Sequence, residues 1–127
     1  MNNQSFDGPS WARGAQFVSE QKNQADRLYL LDLVRVLRPH AAGLRRWSVM
    51  HKIRAYRDAA GSPVGDRMED AIERLFRNHC ADAEKFKRRD TAPDTALFFW
   101  PQGKPGGVWA VHPDRADAWL KREGFEL

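Results

Sequence analysis

Four charged side chains recur at helical spacing in the middle of the chain. All lie within the segment GDRMEDAIERLFRN, and they are Arg67, Asp70, Arg74 and Arg77. At 100° per residue they share the helix side opposite the apolar residues. A guanidinium group can fork onto the O6 and N7 atoms of guanine, and a carboxylate can accept from the exocyclic amine of cytosine or adenine. The stripe is therefore either a base-reading surface or a solvated helix face, on which Asp70 pairs with Arg74 four residues on.

A long glycine-rich loop carries the second candidate group. The stretch ALFFWPQGKPGGVWAVHP, residues 96–113, shows two apolar runs joined by the loop 101–107. A tight hairpin needs only a dipeptide such as Asn-Gly. Glycines also allow the backbone to approach a ligand closely. We therefore expect Gln102 and Lys104 in this loop to meet a phosphate or a groove; the alternative is an ordinary surface loop.

The residues around Trp47 form a third candidate group. Arg45 and Arg46 precede a predicted helix for which Ser48 is a suitable N-cap. Helix N-termini bind phosphate through free amides and nearby cations, so we expect phosphate contacts here, the alternative being ordinary loop arginines. Trp47 either joins this group or fixes the start of the helix. The tryptophans expected in the core are Trp100, Trp109 and Trp119.

Composition limits the function classes. The formal net charge of the 127 residues is +4 and the pI is about 9.6, with the excess of Lys and Arg concentrated in residues 26–60. This favours an anionic partner, most commonly nucleic acid, and is equally compatible with a slightly basic surface. The single Cys80 excludes an internal disulfide and a cysteine-built zinc site. Since no signal-like or membrane-spanning run is evident, we expect a cytoplasmic protein.

Apolar spacing predicts the elements that position these groups. Leucine and valine residues at i, i+3, i+4 and i+7 predict a helix over 25–39, capped by Asp26 and stopped by Pro39. A short extended segment and a helix from Ser48 to Gly61 follow. A third helix over 65–86 begins with a capping box formed by Asp66 and Glu69. The two apolar runs around the loop predict strands, and a last helix begins after His112.

This order of elements is that of a winged helix-turn-helix. We therefore predict an α+β fold with a three-helix core, a wing of two to three strands and a C-terminal helix. The winged-helix domain would span 25–127, after a flexible N-terminal arm at 1–24 that is rich in Asn, Gln, Ser and Gly. The loop 101–107 would be the wing.

The stretch 44–111 also resembles the winged-helix domains attached to restriction endonucleases, including methyl-directed and HNH types. In those domains a Trp-Ser or Trp-Thr pair opens the second helix, and a His-Cys or His-Ser pair near the end of the recognition helix is followed by a small acidic segment. A phenylalanine strand and a Gly-Val-Trp strand then form the wing. The matching residues here are Trp47-Ser48, Ile72, His79-Cys80, Asp82, Phe86, Phe98 and Gly107-Val108-Trp109. The resemblance implies DNA binding through the third helix and sensitivity to base methylation.

The sequence contains no His-Asn-His metal site and no acidic-lysine nuclease cluster, so we expect a DNA reader or transcriptional regulator of bacterial type rather than an enzyme. The third helix would enter the major groove of sequence-specific double-stranded DNA. We expect no catalytic residue, no metal and no cofactor. The apolar surfaces of the first and last helices are compatible with a homodimer. The alternative is a protein-interaction winged helix without DNA binding, favoured by the acidic start of the third helix. RNA binding is a weaker third option.

Overall fold

The structure, a computed structural model, describes the backbone of residues 10–88 and 92–125, and the side chains of residues 24–84, 86–88 and 92–125. Its described part has an α+β architecture with five α-helices and a small antiparallel sheet. The elements in chain order are α1 (Ser10–Leu37), β1 (Leu44–Arg45), α2 (Arg46–Ala59), α3 (Met68–Asn78), α4 (Glu84–Arg88), β2 (Phe98–Phe99), β3 (Val108–Val111) and α5 (Pro113–Glu123). Single 3-10 turns lie at Pro93–Thr95 and Lys104–Gly106.

The three strands form one sheet in the order β1-β3-β2, so that the last strand in the chain is central. β1 pairs with β3 through Leu44 opposite Trp109, and β2 pairs with β3 through Phe99 opposite Ala110. Gly43 leads into β1 with a φ of +87°, and a Cβ atom built there would lie 2.6 Å from the carbonyl oxygen of Trp109. Only glycine fits this close approach of two backbones without a shift.

Aromatic stacking joins α3 to the sheet. The ring of Phe76 is fully buried and stacks on Trp109, with centroids 4.1 Å apart, and on Phe98, at 5.1 Å. Trp100 lies at 5.9 Å from the same ring. The prediction that Trp100, Trp109 and Trp119 belong to the core is confirmed, because all three are buried. This packing fixes the side of the sheet on which α3 lies.

α1 is longer than the sequence predicts. It begins at Ser10 rather than near Asp26, so the part of the expected arm after residue 9 is helical; residues 1–9 lie outside the described part of the chain. The prediction that Asp26 caps the helix is therefore wrong. The helix ends at Leu37, as the position of Pro39 predicts. Among the described residues, no helix has both the length and the apolar character needed to cross a membrane.

α1 carries a buried ion pair with α2. Asp32 is 3% exposed, and its Oδ2 atom accepts from Nε and Nη2 of Arg57 at 2.9 and 2.6 Å. Burial raises the pKa of the Asp32 carboxyl, while the hydrogen bonds and charge of Arg57 oppose that rise. Tyr29 faces the same guanidinium at 5.2 Å. The pair holds α1 and α2 together by a bridge that apolar spacing does not reveal.

Two further helix starts, and one helix end, differ from the predictions. α2 begins at Arg46, with Arg45 rather than Ser48 at its N-cap. α3 begins at Met68, with Arg67 at its N-cap and no side-chain capping bond, so the Asp66 capping box is wrong. The predicted helix over 65–86 is divided at His79, because the backbone oxygen of His79 accepts from the amide of Phe98 at 2.9 Å. A contact with a distant strand thus ends a helix whose apolar spacing continues to Phe86.

Candidate nucleic-acid interface

The loop 101–107 is folded by its own backbone hydrogen bonds. The amide of Gly103 donates to the oxygen of Trp100 at 3.0 Å, and that of Gly107 donates to the oxygen of Lys104 at 3.2 Å. Gly103 and Gly107 both have positive φ angles, +76° and +68°, which side chains disfavour. Lys104 and Gln102 are exposed on this frame. The glycines are therefore used to form two successive turns that present a lysine and a glutamine to solvent.

Arg45 lies beside this loop. It belongs to β1 and is exposed, and its Nη1 atom is 3.5 Å from the backbone oxygen of Gly106. At that length the hydrogen bond is weak, so an anion can recruit the guanidinium at little cost. Arg45 and Lys104 thus bring two cations to one loop, although they lie 59 positions apart in the chain.

Arg77, at the end of α3, faces the other flank of the loop. Arg77 and Lys104 line one surface depression of about 280 Å³, together with Asp82, Ala83, Glu84 and Trp100. The guanidinium carbon of Arg77 lies 5.6 Å from the centroid of the Trp100 ring. The backbone amide of Trp100 in turn donates to Asp82 at 3.1 Å. The last turn of α3 and the loop therefore belong to the same face of the molecule.

A network of arginine and glutamate side chains extends this face towards α2. Glu73 accepts from Arg46 at 2.7 Å through one oxygen and from Arg77 at 3.1 and 3.2 Å through the other. Glu69 pairs with Arg54 at 3.1 Å and with Arg46 at 3.6 Å. Burial alone would raise the pKa of Glu73, but the hydrogen bonds from Arg46 and Arg77 outweigh it and lower that pKa. Three guanidinium groups and two carboxylates thus alternate across the contact between α2 and α3.

The predicted charge stripe on α3 is divided between two neighbours. Arg74 bonds to Asp26 of α1 at 2.9 and 3.3 Å, whereas Arg77 bonds to Glu73 on the side of α2 and the loop. Arg67 and Asp70 are exposed. The pairing of Asp70 with Arg74 considered above does not form, because Arg74 takes the carboxylate of α1 instead. The stripe therefore offers Arg67 and Asp70 directly, whereas Arg74 and Arg77 are each held by a carboxylate.

Trp47 stands out from this surface. It is 67% exposed in the first turn of α2, and it lines a shallow depression of about 230 Å³ with Arg46, Met50, His51, Arg54 and Glu69. Ser48 is half-buried in the same turn and makes no capping bond. Trp47 therefore lies beside Arg46 at the start of α2 with its ring open to solvent.

Sequence reasoning missed the carboxylates that occupy these arginines. The sequence shows Glu69 and Glu73 as part of an acidic helix start and predicts Asp26 as a cap. The spacing of Glu73 and Arg77, four residues apart, did contain a signal for one pair. The pairs Arg46–Glu73 and Arg74–Asp26 join different helices, so local sequence spacing does not predict them.

Two groups elsewhere have shifted pKa values. Burial raises the pKa of the Cys80 thiol to about 11. Burial and the charge of Arg115 lower the pKa of His112, whose ring stacks on Phe99 at 4.4 Å. Within the described part of the chain, no group of three or more His, Cys, Asp and Glu side chains is arranged to hold a metal ion.

Comparison with protein-family models, with curated proteins and with solved structures found no match to this chain.

Proposed function

We propose that the protein is a winged-helix protein that binds double-stranded DNA, with α3 as the reading helix and the loop 101–107 as the wing. The order α1-β1-α2-α3-β2-loop-β3 and the strand order β1-β3-β2 support this arrangement. In a helix-turn-helix protein the second helix of the pair lies in the major groove, and the first crosses the backbone. α2 and α3 are that pair here.

The observation that carries the proposal is the shared depression of Arg77 and Lys104. If the end of α3 lay far from the loop, one duplex would not meet both. Because they lie on one face, a duplex seated on α3 brings its backbone or adjacent groove to Lys104. Arg45, on the other flank of the loop, adds a third cation. Phosphate contacts of this kind fix position, while the base edges fix sequence.

Base reading falls to the charged stripe formed by α3 and its N-cap residue. Arg67 and Arg77 can form paired hydrogen bonds with guanine, and Asp70 can accept from cytosine or adenine. Arg74 and Arg77 take part when a duplex draws them away from Asp26 and Glu73. Such contacts make the protein a sequence-specific reader, and a methyl group on one of the bases is a natural feature for it to distinguish, as in a methylation reader or a transcriptional regulator.

Fluorescence anisotropy with labelled duplexes tests the proposal. Mixed-sequence, adenine-methylated and cytosine-methylated duplexes would be titrated at about 50 and about 200 mM salt. Neutralising three phosphates through Arg45, Arg77 and Lys104 gives a logarithmic salt slope of about −2.7, hence about 40-fold weaker binding at the higher salt. Lys104→Glu is expected to weaken binding about tenfold or more at low salt. The matched control is Lys121→Glu, the same charge reversal in α5.

Equal affinities of wild type and Lys104→Glu would remove the loop from the interface. For α3 the corresponding variant is Arg74→Ala or Arg77→Ala, which is expected to weaken binding to a preferred duplex more than to a scrambled one. Equal losses on both would reduce that arginine to a phosphate contact.

A second candidate function is protein interaction without DNA. The exposed Trp47 favours it, because tryptophan is enriched among the residues that dominate protein interfaces, and because the neighbouring arginines are already paired with glutamates. Absence of binding to every duplex at about 50 mM salt would select this candidate.

A further inference from the structure

The carboxylate of Glu73 is placed between the two helices proposed to meet DNA. Its Oε1 atom accepts from Nε of Arg46 in α2 at 2.7 Å, and its Oε2 atom accepts from Nε and Nη2 of Arg77 in α3 at 3.2 and 3.1 Å. Both oxygens are thus engaged, each by a different guanidinium group. A single anion of the protein occupies two of the cations that a phosphate or a guanine edge would otherwise take.

This bridge is open to competition. The side chains of Arg46, Glu73 and Arg77 keep 42%, 31% and 34% of their surface exposed. A solvent-exposed pair of this kind is weak and is screened by salt, so a strong polyanion can replace the carboxylate. A phosphate offers the same oxygen geometry to a guanidinium fork as a carboxylate does. Glu73 therefore acts as an internal competitor for the ligand that the two arginines would bind.

We propose that Glu73 is an affinity-limiting residue, which suppresses the binding of polyanions by holding Arg46 and Arg77. A duplex that supplies only backbone phosphates must displace the carboxylate for little gain. A duplex that also offers Arg77 the right base edge gains a directional pair of hydrogen bonds. A duplex of either kind therefore binds less tightly than it would to free arginines. The identity of the polyanion as DNA rests on the proposed function, whereas the masking of the two guanidinium groups does not.

The test compares Glu73→Gln with a matched control. Glutamine keeps the shape of the side chain and removes its charge. The control is Glu123→Gln in α5, where the glutamate pairs with Arg27 at 2.9 Å and its side chain is 30% exposed. The net charge changes equally in the two variants, whereas Glu73→Gln releases two guanidinium groups and Glu123→Gln releases one. Each would be measured on heparin-agarose, by the salt needed for elution, and on a mixed-sequence duplex by anisotropy.

The expected result separates the two variants. Glu73→Gln should elute from heparin at higher salt than Glu123→Gln. It should also bind the mixed-sequence duplex about tenfold more tightly than wild type at about 50 mM salt, with a salt slope steeper by about one to two, because one or two more cations meet phosphates. Identical elution of the two variants would overturn the proposal, since it would show a general effect of net charge.

The two proposals fail in different ways. If wild type binds no duplex, yet Glu73→Gln still elutes from heparin later than Glu123→Gln, DNA binding is refuted and the masking stands. If wild type binds the duplex and the two variants behave alike, the masking is refuted and DNA binding stands. Should Glu73→Gln fail to fold, Glu69→Gln takes its place, because Glu69 holds Arg54 and Arg46 on the same face; it too should elute after Glu123→Gln.

Discussion

The buried pair Asp32–Arg57 allows a stability prediction with a definite size. Replacing Asp32 by Ala leaves the guanidinium of Arg57 between α1 and α2 without its two hydrogen bonds, in a site where its side chain is only 16% exposed. Removing one partner of a buried pair costs roughly 3–5 kcal/mol, because the remaining charge is uncompensated. Arg57 can turn partly towards water, so we expect the lower end, about 3 kcal/mol. For a chain of this length the melting temperature would fall by about 10 °C.

The measurement is urea unfolding at neutral pH, followed by tryptophan fluorescence and by circular dichroism. Asp117→Ala is the matched control, because Asp117 also accepts two hydrogen bonds from one arginine, Arg38, but both side chains are largely exposed. The control should leave the urea midpoint unchanged. Replacing both Asp32 and Arg57 by apolar residues of similar volume should recover most of the loss.

A midpoint for Asp32→Ala that matches the control would refute this reasoning. It would mean that water reaches the pair and that the bridge adds no more than a surface pair does. A loss that persists undiminished in the double replacement would also contradict it, since the cost would then not come from the unpaired charge.

Three further predictions follow from other features. Gly43→Ala should destabilise the protein by roughly 2–4 kcal/mol, because the position has a positive φ and a Cβ would overlap the oxygen of Trp109. Gly61→Ala, also at a positive φ but with open space around it, should cost only about 1 kcal/mol. Urea midpoints of the two variants compare these losses, and equal losses would contradict the overlap. The lowered pKa of Glu73 means that its carboxyl binds a proton less tightly in the native state than in the unfolded chain. The ionised carboxylate therefore contributes stability, below about 1 kcal/mol. This contribution is present above the ordinary pKa of 4.5 and is lost as the pH falls through the lowered pKa. The difference in unfolding free energy between wild type and Glu73→Gln should therefore shrink in acid, and a difference that grows would be inconsistent. Cys80 has a thiol pKa of about 11 and is fully buried. At a pH of about 8 it should react with iodoacetamide at least about 100-fold more slowly than a free cysteine does, and it should react rapidly in urea. Fast alkylation of the native protein would contradict both the raised pKa and the burial of this thiol.

The elements whose residues pack locally were predictable from the sequence. Leu30, Leu33, Val34 and Leu37 of α1 are buried as their spacing predicts, whereas Leu28 is exposed. The apolar face of α3 is buried as predicted. The short strand at Leu44–Arg45 and the pair of strands around the loop also form. In each case one helix face or one strand pair contains the signal.

Features that depend on contacts between distant segments were not predictable. Asp26, Ser48 and Asp66 are all suitable N-caps by type, yet none has that role, because α1 begins at Ser10, α2 at Arg46 and α3 at Met68. α3 ends at Asn78 since His79 bonds to the strand that contains Phe98. In the candidate interface the charged residues were predictable, but their ion pairs were not. Which carboxylate a surface arginine contacts depends on how the helices pack against each other.

The folded state of the loop 101–107 bears on how fast and how tightly it can meet a ligand. Its two turns are closed by internal hydrogen bonds, and Gln102 packs so near Gly106 that a Cβ there would lie 2.7 Å from the Cβ of Gln102. Most of the chain entropy that an open loop would lose on association has therefore already been lost during folding. What remains to be ordered is the lysine side chain, at about 0.5–1.5 kcal/mol. A preorganised loop of this kind favours rapid ligand binding, because its backbone needs no rearrangement and a larger fraction of encounters is productive.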